Sequence, residues 1–353
     1  MWAHVRALGV VAVAIGVAAI PACSGSKTTG GRPKVAVVTN CTAEFWSICE
    51  AGATKAGKDF DVDVIFRQPD KMEVSSQMEI VEAVLKQGIS GIAVSVINPS
   101  EQTPDLRRIS KQTSFLAMDN DAPESGRLCY IGIDNYEAGK AVGRLVKKAM
   151  PEGGTVAMFI GGTDSANAKA RIGGVLDELA GQKDAKGPQY GKYELLDNEP
   201  KTDKGKEETA QDNAKDVLNK LNGKNKSVAL VGLYAYNPKA NILAVRAMKD
   251  KQFANLKLVG FDEDAVTLDA ISKGDIVGTV VQDPFDYGYQ AVKVLAAVAR
   301  GDKSAPEKAK PTPYRVITKD GGPEETVDGI KVLNLKAADF AQILKDQVAS
   351  AGK

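Results

Sequence analysis

The feature that most constrains this fold is a regular alternation of short apolar runs with amphipathic helical segments, which begins at Lys34. The segment after the second apolar run has apolar residues at Val74, Met78, Val81 and Leu85, which is the spacing of one helix face. Continuously apolar strands that alternate with such helices indicate a parallel sheet covered on both faces. We therefore predict an α/β fold.

The pattern restarts near residue 133 and continues through a second series of strands and helices. At 353 residues the chain is long enough for two domains, each with a core of its own. We predict two doubly wound parallel-sheet lobes of similar design. The chain ends in a tail with an apolar stretch at 330–335 and a predicted last helix at 337–348, and the sequence assigns no role to this tail.

One stretch, residues 257–282, reads as strand, helix and strand, with a polar residue at the end of each strand. Asp262 follows the first strand and Gln282 follows the second. In open α/β sheets, ligands bind beyond the carboxyl ends of the strands. Asp262 is therefore either a ligand-binding residue or the N-cap of the next helix. Similar strand ends elsewhere in the chain favour the first interpretation.

The amino terminus has the features of a secretory signal peptide. Arg6 precedes an apolar stretch at 7–20, which is short for a transmembrane anchor, the alternative interpretation. The sequence Ile-Pro-Ala-Cys at 20–23 resembles the lipobox of bacterial lipoproteins, in which the cysteine is lipidated. We predict a signal peptide over 1–22, lipidation at Cys23 and a tether over 23–33. The protein would then be exported and anchored to a membrane by lipid.

The residues that remain after this segment exclude several classes of function. The single histidine, His4, lies in the leader, so His-based catalysis and His-ligated metal sites are excluded. Without Arg6 the 46 basic residues become 45, equal to the 45 acidic ones, and this balance does not indicate nucleic-acid binding. Cys41, Cys49 and Cys129 permit one disulfide, whose partners the sequence leaves open.

Polar and aromatic side chains follow many of the predicted strands. Planar carboxylate, amide and guanidinium groups can each pair with two neighbouring hydroxyls, and aromatic rings can cover the C–H face of a sugar. The candidate residues are Asn40, Phe45, Trp46, Asn98, Asp119, Asn120, Asn167, Arg171, Asn237, Asp262 and Gln282. Together they favour a sugar-binding site.

Taken singly, several candidates have simpler interpretations. Phe45 and Trp46 could be core residues of the first helix, although adjacent helical positions do not face one core. Asn98 precedes Pro99 and could simply mark the start of a helix without contacting a ligand. Arg171 could form a surface ion pair, and Asp119 could cap a loop. The joint pattern, more than any one residue, carries the prediction.

The order of these segments resembles that of the periplasmic sugar-binding proteins of ABC transporters, in the ribose-binding-protein-like, type I branch. The resemblance covers about residues 34–318 and rests on segments such as VAVVTNCTAEFW, VSVINP, FLAMDN, GGTDSANAKARIGG, LYAYN, VGFDEDA and TVVQDPFDYG. It implies that Phe45 and Trp46 sandwich a sugar. The polar ligands that it implies are Asn98, Asp119, Arg171, Asn237, Asp262 and Gln282.

Two positions depart from the pattern of ribose binders. Asn120 stands where these proteins have an arginine, and Ala43 where they have an asparagine. These departures argue against ribose itself while leaving the sugar class in place. Asn40 and Asn167 are predicted to line the same cleft.

The resemblance also implies three hinge crossovers, with residues 34–133 and 283–312 in an N-terminal lobe and residues 134–282 and 313–353 in a C-terminal lobe. The lobes would close around a monosaccharide, and the closed form would dock on the permease subunits of an ABC importer. We expect a monomer that is not an enzyme and uses no cofactor, metal or nucleic acid. A sugar-sensing domain that signals to a membrane receptor is the main alternative. A transcription-regulator-like domain conflicts with the leader and the neutral charge.

Overall fold

The computed structural model describes residues 31–351 except Asn225, residues 249–252, Lys310 and Asp328. The predicted signal peptide and the lipidation site at Cys23 lie outside this part of the chain. The strands of the first sheet are β1 (Lys34–Val38), β2 (Asp63–Arg67), β3 (Gly91–Val94), β4 (Ser114–Met118) and β5 (Tyr130–Ile131). Those of the second are β6 (Gly154–Ile160), β7 (Gln189–Tyr190), β8 (Tyr193–Leu195), β9 (Lys201–Thr202), β10 (Ser227–Gly232), β11 (Asn255–Phe261), β12 (Gly278–Val281), β13 (Tyr314–Thr318), β14 (Glu325–Val327) and β15 (Ile330–Lys336).

Helices separate most of these strands. They are α1 (Glu44–Asp59), α2 (Val74–Leu85), α3 (Pro99–Ser110), α4 (Asn135–Ala149), α5 (Ala166–Ala180), α6 (Glu207–Leu221), α7 (Asn237–Ala247), α8 (Ala265–Lys273), α9 (Pro284–Ala299) and α10 (Ala337–Ala351). Several of these helices begin at an N-cap residue whose side chain accepts hydrogen bonds from backbone N–H groups, such as Asp134 for α4 and Ser165 for α5. Within the described residues, no helix is both long and apolar enough to cross a bilayer.

The first sheet is parallel throughout, in the order β2-β1-β3-β4-β5. Alternate residues of β1 point to opposite faces, as strand geometry requires. Val37 belongs to the core cluster that includes α1 and α9, and Val38 to the cluster that includes α2 and α3. Helices therefore cover both faces of the sheet, and the predicted α/β fold class is confirmed.

The second sheet has the order β14-β15-β13-β12-β11-β10-β6-β8-β7, with β9 paired to β6. Its central strands β12, β11, β10, β6 and β8 are parallel, but β13 runs antiparallel to β12. Arg315 pairs with Val281, so β13 starts beside the end of β12 and runs back along it. The sheet is thus mixed, whereas the sequence predicted parallel strands. The physical reason is that the chain returns from α9 to the sheet beside β12, the strand from which it had left, and β13 then runs back along that strand.

The chain passes between the elements of the two sheets at residues 132–134, 282–283 and 300–313 of the described part. Between the second and third passages, α9 packs against α1 and against β1, β3 and β4 of the first sheet. Tyr287 links the first two passages, since its hydroxyl accepts a hydrogen bond from the Ile133 N–H and donates one to Gln282 Oε1. The lobe boundaries and the hinge role of these passages stay predictions.

Candidate ligand-binding site

A cavity lies where the carboxyl ends of β1, β4, β6, β10, β11 and β12 face each other across the two sheets. Its lining residues come from both halves of the chain: Asn40, Cys41, Ala43, Phe45, Trp46, Asp119, Asn167, Arg171, Tyr234, Ala235, Asp262 and Gln282. The cavity measures about 30 Å³, which is room for roughly two water molecules. A ligand the size of a sugar ring can therefore enter only if the two sides of the cavity move apart.

Two aspartates occupy matching positions, one at the end of a strand in each sheet. Asp119 follows β4 and Asp262 follows β11, and both have left-handed backbone conformations, with φ of 62° and 66°. Their N–H groups donate to the carbonyl oxygens of Ile131 and Val280 in the neighbouring strands. Left-handed φ values are uncommon outside glycine and often mark functional positions. Here they point both carboxylates into the cavity.

Each of these carboxylates is held by one neighbouring side chain. The Ser95 hydroxyl donates to Asp119 Oδ2 at 2.8 Å, and Gln282 Nε2 donates to Asp262 Oδ1 at 2.7 Å. Burial raises the pKa of Asp119 from 3.8 to about 6, although the nearby Arg171 opposes this rise. Burial also raises the pKa of Asp262. The protein therefore keeps two poorly solvated acceptors at the cavity.

Arg171 is the basic side chain among the residues that line this cavity. It is 2% exposed, its guanidinium stacks 3.8 Å from the centroid of the Phe261 ring, and its Nη1 lies 4.0 Å from Asp262 Oδ2. Nε donates to Asn135 Oδ1 and Nη1 to the Leu233 carbonyl. Nη2 is buried and has no hydrogen-bond partner. An unused buried donor at the cavity wall is suited to an acceptor on a ligand.

The helix that carries Arg171 is placed by close contact between α4 and α5. A Cβ atom at Gly139 would lie 2.3 Å from the Arg171 carbonyl oxygen, and one at Gly174 would lie 2.1 Å from the Tyr136 carbonyl oxygen. Real Cβ atoms do not approach so closely, so the two glycines allow the helices to touch. This contact fixes the backbone from which the guanidinium reaches the cavity.

Two adjacent aromatic residues form one wall. The rings of Phe45 and Trp46 lie 4.8 Å apart in an edge-to-face arrangement, and Trp46 Nε1 donates to Asn40 Oδ1 at 3.1 Å. Trp46 is 2% exposed and also belongs to the main core cluster. Trp46 is therefore both a core residue, as the simpler interpretation of the sequence had it, and part of the cavity wall.

Contacts across the cavity mouth join the two sides of the molecule. The Asn167 N–H donates to Asn120 Oδ1 at 3.1 Å. The Tyr234 hydroxyl lies 3.6 Å from both Cys41 Sγ and Met72 Sδ. With the carboxylates and the guanidinium almost fully buried, these contacts describe a closed arrangement.

Three predicted ligand residues do not line this cavity. Asn98 caps α3, its Oδ1 accepting from the Ser100 N–H and hydroxyl, so the simpler interpretation of Asn98 as a helix start describes its position. Asn237 Nδ2 donates to Asp203 Oδ2 at 2.6 Å. Asn120 lines a smaller cavity next to the first one. The other eight predicted residues meet at the main cavity.

The helix-cap interpretation of Asp262 is wrong. The N-cap of α8 is Asp264, whose Oδ1 accepts from the Thr267 N–H at 2.9 Å. Asp262 lies two residues earlier, with its side chain bonded to Gln282. The strand end and the helix start thus use different aspartates.

Four residues that line the cavity are not among the predicted ligands: Cys41, Ala43, Tyr234 and Ala235. Ala43 stands out in the sequence only as the position where ribose binders have an asparagine. Cys41 follows Asn40 directly, and Tyr234 and Ala235 precede the predicted Asn237 in the loop after β10. Tyr234 had a signal, since it is an aromatic residue at a strand end. Among the described residues, Cys41, Cys49 and Cys129 are unpaired, and no cluster of His, Cys, Asp and Glu side chains is suited to a metal ion.

The chain matches the family described as the periplasmic binding protein domain over residues 35–303. It is 22% identical to the D-allose-binding periplasmic protein of Escherichia coli (strain K12) over 281 residues, which are 76% of this chain and 85% of that protein.

Two solved structures are similar over most of the chain. One is an ABC transporter solute binding protein from Burkholderia graminis C4D1M in complex with D-arabinose, with 26% identity, a TM-score of 0.71 and coverage of 82% of this chain and 96% of that chain. The other is GanP, a glucose-galactose binding protein from Geobacillus stearothermophilus, with 25% identity, a TM-score of 0.72 and coverage of 83% and 99%. The chain belongs to the periplasmic binding protein family, in its ribose-binding-protein-like, type I branch.

Proposed function

We propose that this protein is the substrate-binding lipoprotein of a carbohydrate ABC importer and binds a monosaccharide or related polyol between two lobes that close by hinge motion. The observation that carries this proposal is the cavity itself. Two buried aspartates, one from each sheet, flank an arginine whose Nη2 has no partner. The role of the lining residues as sugar ligands is part of the proposal.

The chemistry of the lining suits a neutral, hydroxyl-rich ligand. Asp119 and Asp262 accept hydrogen bonds from hydroxyl groups, Arg171 donates to hydroxyl oxygens, and the amide of Asn167 can do both. The Phe45 ring provides an apolar face for ring C–H groups. The names of the relatives, which mention allose, arabinose, glucose and galactose, support the same ligand class.

The proposed motion follows from burial. In the closed arrangement, Asp119, Arg171, Asp262 and Gln282 are each at most 6% exposed, so a sugar reaches them only when the lobes separate. A ligand that touches both lobes is bound more tightly by the closed state and shifts the equilibrium toward it.

The transport partner and the lipid anchor rest on sequence and family. The permease subunits are inferred from family membership, because the similar Burkholderia structure is a solute binding protein of an ABC transporter. The anchor at Cys23 is inferred from the leader and the lipobox-like sequence. A protein with this anchor would work at the periplasm or cell surface.

Titration of Trp46 fluorescence tests the proposal directly. With Trp2 removed in the leader, Trp46 is the remaining tryptophan, so its emission reports on the cavity without a label. In a thermal-shift screen of residues 33–353 against pentoses, hexoses and polyols, we expect at least one sugar to raise Tm. That sugar should change Trp46 emission with single-site saturation, reduce the radius of gyration and be recovered unchanged. If no member of the panel shifts Tm or emission, the sugar-binding proposal is wrong.

Binding should also depend on pH through Asp119, which faces Arg171, Ser95 and Asp262. Because the pKa of Asp119 is raised, the stability that this group contributes is fully present below 3.8 and is lost as the pH rises through about 6. Sugar binding has the opposite dependence, since only the carboxylate accepts two hydroxyls. We expect affinity to fall as the pH is lowered through about 6, and Asp119→Asn to lose most of that dependence. Calorimetric titrations across this range measure both, and an identical pH profile in the variant would contradict the assignment.

A further inference from the structure

The last helix of the chain packs on both lobes. α10 continues directly from β15 and contacts β13, β15 and α8, all of which belong to the second sheet or lie against it. Phe340, which is fully buried, places α10 in the core of that lobe. The same helix also contacts α1, which packs on the first sheet. α10 therefore bridges the two halves of the molecule.

Ile48 of α1 lines a groove together with residues of α8 and α10. The core face of α1 is formed by residues at helical spacing, including Trp46, Cys49 and Ala53, and Ile48 lies off that face. Ile48 is nevertheless only 7% exposed. The described side chains around it include Leu268 of α8 and Leu344 of α10, which line the same groove. Its burial thus depends on elements of the other lobe.

The junction contains a surface groove. The groove lies between α1, α8 and α10 and measures about 380 Å³, with Glu44 and Ile48 on one side and Leu268, Ala341 and Leu344 on the other. Exposed residues such as Glu44 and Lys345 line it as well, so solvent reaches the groove. No continuous core joins the described residues of the two sides along the groove, which suits an interface that forms and breaks.

Opening of the sugar cleft must disturb this junction. The first turn of α1 follows β1, and the first turn of α8 follows β11, so both border the cleft at the strand ends that carry the ligand-binding side chains. Because α10 is anchored to the second lobe by β15 and Phe340, separation of the lobes moves α1 away from it. The far end of α10 lies at a passage between the lobes, where Gln347 Nε2 donates to Asp283 Oδ1 at 3.2 Å.

We propose that α10 is a strap that holds α1 in the closed state and is released from it on opening, so that the C-terminal extension raises sugar affinity. The strap acts by adding a closed-state contact that is distant from the sugar. This inference rests on the proposed sugar-binding function. This contact holds α1 in place, and the first turn of α1 carries Phe45 and Trp46. Ile48 is therefore a positioning residue, which acts on the site through α1.

Ile48→Glu tests the strap, with Ser47→Glu as the matched control. The variant places a carboxylate in the groove that Leu268 and Leu344 line, where Glu44, Glu263 and Asp264 are already acidic, so it disfavours the closed contact. Ser47 is exposed on the same helix. Burial of one isoleucine in the closed state alone corresponds to a factor of about ten in affinity. We therefore expect Ile48→Glu to weaken sugar binding about tenfold or more and to increase the radius of gyration of the sugar-free protein. Ser47→Glu should change neither quantity.

Ile48→Ala keeps the test decisive if the glutamate variant does not fold. It removes the same contact without a charge and should weaken binding severalfold in the same direction. Wild-type affinity and radius of gyration in a folded Ile48→Glu or Ile48→Ala protein would overturn the strap. If the wild-type protein binds no sugar, the proposed function fails instead. The scattering comparison of the sugar-free proteins still decides whether α10 holds the lobes together.

Discussion

Arg171→Ala is expected to reduce sugar affinity by at least about a hundredfold, a loss of about 2.7 kcal/mol. The guanidinium lies beside Asp262 and lowers the charge cost of both buried carboxylates. Its removal leaves Asp119 and Asp262 in a poorly solvated site without a compensating charge, which costs several kcal/mol when one partner of a buried pair is lost. It also removes the Nη2 donor that we assign to the sugar. Calorimetric titration with the sugar identified by thermal shift measures the loss.

Two further variants separate the possible reasons for this loss. Arg171→Lys keeps a positive charge but not the planar fork, so it should recover stability better than affinity. Arg127→Ala removes an arginine that pairs with Asp121 away from the cavity, and it should leave affinity unchanged. In Arg171→Ala the pKa values of the two carboxyls should rise further, so Asp119 takes up its proton at a higher pH than in the wild type, and the part of the stability deficit that comes from Asp119 should shrink as the pH falls toward about 6. Unchanged affinity in Arg171→Ala would return this residue to a purely structural role.

The outline of the fold could be predicted from the sequence because its signals are local. Continuous apolar runs, helical periodicity and capping residues each report on a few neighbouring positions, and the strands and helices follow them closely. The antiparallel direction of β13 has no local signal. It depends on where the chain re-enters the second sheet after α9, which is a property of the whole topology.

The site shows the same difference between local signals and contacts that are distant in sequence. A residue at a strand end could be placed near the cavity from sequence, since all parallel strands of a sheet end at one edge. The direction of its side chain could not, because that depends on neighbours distant in sequence. Asn237 turns toward Asp203, and Asn98 toward its own helix. The left-handed conformation of Asp262 likewise depends on the pairing of its N–H with Val280.

The contact of α10 with α1 could not be predicted from the sequence for a related reason. The helix itself is predicted by its apolar spacing, but its contact with α1 joins residues about 300 positions apart in the chain. Ile48 and Leu344 are ordinary apolar residues of amphipathic helices. Only the folded arrangement brings both of them to one groove between α1, α8 and α10.

Asp262→Gly is expected to abolish the carboxylate's contribution to binding while leaving the sugar-free protein more stable than Asp262→Ala, since both variants lose the same contacts with Arg171 and Gln282. Loss of a charge-assisted hydrogen bond costs about 1.5–3 kcal/mol, so affinity should fall at least about tenfold. Glycine adopts the φ of 66° without strain, and this gain offsets the greater conformational freedom of the unfolded chain. Asp262→Ala should bind equally poorly but be less stable by about 1 kcal/mol, because a Cβ atom opposes left-handed φ.

The neighbouring cap residue provides the matched control for this pair. Asp264→Ala removes the N-cap of α8 and should lower stability by about 1 kcal/mol, with sugar affinity close to that of the wild type. Thermal unfolding and calorimetric titration of the three variants therefore separate backbone strain, helix capping and ligand contact. If Asp262→Gly binds sugar as tightly as the wild type, the Asp262 carboxylate does not contact the ligand. If Asp262→Ala is as stable as Asp262→Gly, the left-handed backbone is not a source of strain. If instead Asp262→Gly binds sugar weakly and Asp262→Ala is the less stable variant, Asp262 retains a strained backbone because its carboxylate contacts the ligand. This is expected of a residue whose conformation is selected for binding rather than for folding.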